Sequence, residues 1–169
     1  MVTRMLDPAP SNLDEPARRA HYDAVQRQLD ALLEGEDDWV AAMATVACEL
    51  HHAFDAFHWT GFYRALGERT LVIGPYQGGH GCLRIDLDRG VCGAAARLRA
   101  TQRVDDVSAF PGHIACSATT RSEIVVPVLR PDGTVLAVLD VDSDLPAAFT
   151  AADQDGLEAV CAELGRRYG

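Results

Sequence analysis

Two groups of side chains in this 169-residue chain could do chemistry, and the first is a set of three cysteines. Cys82 and Cys92 lie in the stretch GCLRIDLDRGVCGAAA, and Cys116 in the later DDVSAFPGHIACSATTRSEIVVPV. Cys116 sits in a segment rich in small and polar residues, with His113 and Arg121 close by in sequence. A cation beside a thiol lowers its pKa, and the thiolate is the reactive form, so Cys116 is the better nucleophile candidate. Cys92 follows Gly90 and Val91 at the expected start of a helix, where unpaired N–H groups and the helix dipole favour a thiolate. Cys82 opens an expected strand, facing either solvent or a pocket. A zinc site from Cys82, Cys92, Cys116 and His113 would lack the paired C-x-x-C knuckle, so no metal is expected. Cys48 and Cys161 fall in helical runs and read as small core residues.

The second group is three carboxylates. The runs SEIVVPVLR and TVLAVLDVDS flank Arg130-Pro131-Asp132-Gly133-Thr134, and Asp-Gly signals a two-residue hairpin turn with both residues at positive φ. In that register Glu123 lies opposite Asp142, with Asp140 two residues along the same sheet face. A three-residue turn would send Glu123 to the other face. Like charges placed opposite one another are destabilising, so the cluster needs a cation, a ligand ammonium group or a shared proton. The alternative is a strand end at which the acids are simply solvated.

These side chains must be positioned by a frame that the pattern also indicates. Apolar residues at Ala17, Ala20, Ala24, Val25, Leu29 and Leu32 predict a helix over 14–34, with Pro16 in its first turn. Trp39, Met43, Val46, Leu50 and Phe54 predict a second over 38–54. Six short β-like runs follow between residues 58 and 143, interrupted by a helix over 92–99. A last helix over 151–168 is announced by Thr150 with Asp153 three residues on. Helices at both ends of hairpin-linked strands indicate an α+β domain with an antiparallel sheet, expected over 13–169 after a mobile lead-in over 1–12.

Composition narrows the function classes. Apolar residues make up 48% and charged residues 24%, with a formal net charge of −10. That balance disfavours nucleic acid and anionic membrane surfaces, which need clustered Lys and Arg. Five cysteines without a secretory leader are expected in a cytoplasmic protein with reactive or buried thiols rather than a disulfide framework.

WTGFYR (59–64), GPYQG (74–78), RGVCGAAA (89–96), AFPGHIAC (109–116), RSEIVVPV (121–128) and LDVDS (139–143) together resemble the free methionine-R-sulfoxide reductase family, enzymes built on a GAF domain. The resemblance implies a GAF-like fold with a six-stranded antiparallel sheet. It implies that Cys116 attacks the sulfoxide sulfur and becomes a sulfenic acid, and that Cys82 condenses with it to a disulfide reduced by thioredoxin. Cys92 matches the third family cysteine. Glu123, Asp140 and Asp142 match the substrate-binding acids, and Trp59 the aromatic residue that receives the substrate's methyl group, with Tyr63 beside it in the pocket. The expected substrate is free L-methionine R-sulfoxide, no cofactor is implied, and homodimerisation through the leading helices is in keeping with the family. A GAF domain could instead be a non-catalytic small-ligand sensor, or the thiols a redox sensor.

Overall fold

The computed structural model describes residues 5–112, 114 and 116–169. Its elements run α1 (Glu15–Leu32), α2 (Trp39–Ala53), β1 (Trp59–Leu66), β2 (Thr70–Gln77), β3 (Arg84–Asp86), α3 (Gly90–Leu98), β4 (Gln102–Val104), β5 (Ser122–Leu129), β6 (Val135–Ser143) and α4 (Ala151–Tyr168). The strands form one sheet in the order β3-β2-β1-β6-β5-β4, with every neighbouring pair antiparallel. This is the α+β arrangement that the pattern indicates.

Alternation along the central strands divides the interior into two cores. Phe62, Ile124, Val126, Leu139 and Val141 point to one face, where α2 and α4 cover them with Met43, Leu50, Leu157 and Leu164, and α1 packs against those two helices. Trp59, Tyr63, Val125 and Val138 point to the other, where α3 covers part of the sheet with Val91, Cys92 and Ala95. One short helix cannot cover the whole of that second face. The remainder is closed by the segments before β3 and after β4, and these carry Cys82 and Cys116.

Of the predicted stripe, α2 buries Met43, Val46 and Leu50 and its C-cap Phe54 is buried too, whereas Trp39 at the helix start is only partly buried. α1 departs from its prediction: Ala17, Ala20 and Leu32 face outward, while Arg18, Tyr22, Val25 and Leu29 are buried. The cause lies in α4. The Asp153 carboxylate accepts from Arg18 Nε at 2.7 Å and from the Tyr22 hydroxyl at 2.8 Å, while its second oxygen accepts from the Thr150 backbone N–H at 2.7 Å. The helix-capping acid read from sequence thus also orients α1, and a buried charge pair turns a polar residue inward. The expected mobile lead-in is not free along its whole length. Ala9 is buried and bridges the end of α2, donating to Ala53 O at 2.7 Å and accepting from Asp55 N–H at 3.1 Å.

The β5–β6 hairpin corrects the predicted turn and keeps the predicted register. Arg130 N–H donates to Thr134 O, enclosing three residues rather than two, and of the Asp-Gly pair only Gly133 has positive φ. Leu129 consequently pairs with Val135, one step from the expected alignment. Val128 then pairs with Ala137, so Leu136 is an extra residue in a β-bulge that restores the step. Glu123 faces Asp142 after all.

Candidate functional site

The acids reach one point because three strands lie side by side. Glu123 pairs with Asp142 across β5–β6, Val125 pairs with Asp140, and on the other side of β6 Trp59 and Gly61 pair with Asp142 and Asp140. Glu123 and Asp140 are 6% and 5% exposed, and Asp142 is partly exposed. The sequence alternative of solvated acids at a strand end is therefore excluded for the first two.

α3 closes this face from above and sets Cys92 against the acids. Cys92 is buried in the first turn of the helix, and its thiol donates to Asp140 Oδ2 at 3.3 Å. The expected thiolate is corrected here. Burial pushes the Cys92 thiol up, and the charges of Asp140, Glu123 and Asp142 push it the same way, overriding the helix dipole. Burial likewise raises Glu123 well above the usual carboxylate range, helped by the charges of Asp140 and Asp142. Asp142 is raised by burial and then by Asp140. Asp140 is raised by burial to about 7, held down somewhat by the hydrogen bonds it accepts from Cys92 and Glu123.

Cys116 and Cys82 are joined by a disulfide with a Cα–Cα separation of 5.4 Å. The zinc set weighed from sequence is thereby dispersed, since two of its thiols are bonded to each other and His113 lies outside the described residues. Cys82 also precedes β3, which is shorter than expected. The exposed Arg121 adds negative-charge stabilisation to Asp106, behind that acid's hydrogen bonds to Ser108. Cys48 is partly exposed rather than core, whereas Cys161 is buried as expected.

Cys116, Cys92, Glu123, Asp140 and Asp142 line one cavity, together with apolar Ile85, Val91 and Ile114. Gly90, Ser117 and Thr120 complete it, and sequence reasoning missed these three. Small polar residues in a loop carry little signal of their own, but Gly90 at φ +66 starts α3 two residues before Cys92. The cavity holds about 30 Å3. That is room for a water or an ion and far below the roughly 300 Å3 at which ligand pockets begin.

Trp59 and Tyr63 are on the same sheet face but behind the disulfide-bearing segment. The Trp59 ring stacks on Tyr76 and Tyr63, with centroids 5.3 and 5.8 Å away, and its Nε1–H donates to Gly79 O at 3.0 Å. A Cβ on Gly81 would come within 3.0 Å of the Tyr63 hydroxyl and the Trp59 ring, so the chain rests directly on them. With the disulfide formed, neither aromatic ring reaches the cavity. A roomier groove of about 650 Å3 between α4 and β5 is lined by Arg99, Pro127, Glu158 and Arg166, and has no thiol or acid cluster.

A six-stranded antiparallel sheet with terminal helices on one face and a small cavity on the other is the architecture of a GAF domain, and the GAF domain family model matches residues 34–166. The free methionine-R-sulfoxide reductase of Escherichia coli is 41% identical over 143 residues, covering 85% of this chain and 86% of that protein. The structure of free methionine-R-sulfoxide reductase from Neisseria meningitidis in complex with its substrate superposes with a TM-score of 0.87 at 40% identity, over 98% of this chain and 95% of that one. The reduced form of the Staphylococcus aureus protein superposes at 0.83 with 36% identity, over 88% and 95%. The chain belongs to the free methionine-R-sulfoxide reductase family of GAF-domain proteins. No helix among the described residues is long and apolar enough to cross a membrane.

Proposed function

We propose that this protein reduces free L-methionine R-sulfoxide to L-methionine, with Cys116 as nucleophile and Cys82 as the resolving thiol. The observation that carries this reading is that Cys116, already bonded to Cys82, shares one cavity with Glu123, Asp140 and Asp142. The substrate ammonium sits among the three acids and offsets their mutual repulsion. Its carboxylate lies at the first turn of α3, where backbone N–H groups of the cavity-lining Val91 and Cys92 favour an anion. Binding both ends in this way selects a free amino acid over a peptide, because a chain continuing through either end would collide.

The Cys116 thiolate attacks the sulfoxide sulfur, and the oxygen is transferred to Cys116 as its S–O bond to the substrate breaks. An acid raised to near neutrality, Asp140 or its partner Glu123, protonates that oxygen. Methionine leaves and Cys116 becomes a sulfenic acid. The Cys82 thiol displaces its hydroxyl as water, forming the disulfide. A dithiol reductant of the thioredoxin type, in a cytoplasmic setting, returns both cysteines to thiols and is itself oxidised to a disulfide. Opening of the disulfide also frees the segment over Trp59 and Tyr63, so that the aromatic wall meets the substrate's S-methyl group. Cys92, protonated against Asp140, contributes a neutral hydrogen-bond donor to the cluster.

The test is methionine release from the R and the S epimer separately, with dithiothreitol as reductant and Cys116→Ser alongside. Release from the R epimer alone, lost in the variant, is the expected result. No release by folded, reduced protein would leave the fold as a small-ligand sensor, and repeated turnover by Cys116→Ser would remove the nucleophile from its role.

A further inference from the structure

Cys92, Glu123 and Asp140 come from α3, β5 and β6, yet one ligand atom from each lies within 4.8 Å of the other two. All three side chains are buried, at 3%, 6% and 5% exposure. One sulfur and two carboxylate oxygens on buried side chains form a donor set for a borderline-soft, four-coordinate cation such as Zn2+. Hard cations want six or more oxygens and fit it poorly.

Two further observations point to an occupant of ionic size. Asp140 Oδ1 is buried with no hydrogen-bond partner among the described residues, although Oδ2 accepts from Cys92. An orphaned carboxylate oxygen in such a place is costly. The cavity beside it holds about 30 Å3 while the Cys82–Cys116 disulfide is in place. A cation fits that space and an amino acid does not.

We propose that the disulfide form binds one Zn2+-class divalent cation through Cys92, Glu123 and Asp140, with solvent at the fourth position. Binding takes up the Cys92 sulfur as a thiolate, so its thiol proton leaves. The ion occupies the seat assigned above to the substrate ammonium, which makes it an inhibitor; that consequence rests on the proposed reaction, whereas the binding does not.

Cobalt(II) serves as the probe, titrated into full-length oxidised protein without added thiol. Besides Cys92, the free thiols are Cys48 and Cys161. One equivalent of cobalt is expected to raise a near-ultraviolet thiolate-to-cobalt charge-transfer band that Zn2+ displaces and Mg2+ does not. Cys92→Ser should lose the band and Cys48→Ser should retain it. Should Cys92→Ser fail to fold, Asp140→Asn keeps the thiol and must weaken cobalt binding. Absence of the band in folded wild-type protein, its survival in Cys92→Ser, or unchanged binding by Asp140→Asn would each overturn the proposal. No step of the experiment reads methionine release, so its failure is separable from failure of the proposed reaction.

Discussion

Glu123 stands directly opposite Asp142 across the β5–β6 ladder, a pairing of like charges in the middle of the site. Burial, and then the charge of neighbouring Asp140, raises both acids well above the usual carboxylate range, which eases their repulsion. An arrangement that costs stability when empty and ionised is suited to a cationic ligand.

The cost can be measured. Asp140 titrates near 7 in the folded protein and near 4 when unfolded. Between those values the folded state keeps a proton that the unfolded state has lost, so stability from this group is full below the lower pKa and falls as pH rises through the upper one. Asp140→Asn should therefore gain stability over wild type on going from about pH 4.5 to about pH 8, by at least ~1 kcal/mol, in urea denaturation. A difference that is flat with pH would mean that Asp140 titrates as an ordinary carboxylate.

Cys82→Ser separates the two thiols of the disulfide. With dithiothreitol, which reaches a sulfenic acid directly, turnover should continue. With thioredoxin as sole reductant, rapid-quench measurement should show about one methionine per protein before stalling. Sustained thioredoxin-driven turnover would assign the resolving step to another thiol, with Cys92 in the same cavity.

The small volume of the cavity in the disulfide form predicts that redox state gates binding. Calorimetric titration with L-methionine should give measurable heat for reduced protein and none for the disulfide form. Equal affinity in the two states would show that the segment over Trp59 moves without reduction.

Asp153 joins α1 to α4 through Arg18 and Tyr22. Asp153→Ala leaves the buried Arg18 guanidinium uncompensated and should cost roughly 3–5 kcal/mol in denaturant unfolding. A loss under about 1 kcal/mol, typical of an exposed pair, would show that water replaces the carboxylate.

Much of this protein is written locally. The stripe of α2, the cap of α4 and the alternation of β5 and β6 depend on residues within a few positions of one another, and their periodicities survive in the linear chain. The motifs around Cys82, Cys92, Cys116 and Glu123 likewise suffice to mark the family. What the chain alone leaves open depends on distant partners. The inward turn of Arg18 follows from an acid 135 residues away. The carboxylate cluster survives an incorrectly predicted turn only because Leu136 forms a bulge, a step that hydrogen-bond pairing decides and composition does not. The Cys92 proton is decided by burial against three acids, although its place at a helix start argues for a thiolate. Helix position is a local property, whereas desolvation and like charge exist only when α3 is laid on the sheet, and at this site they outweigh it.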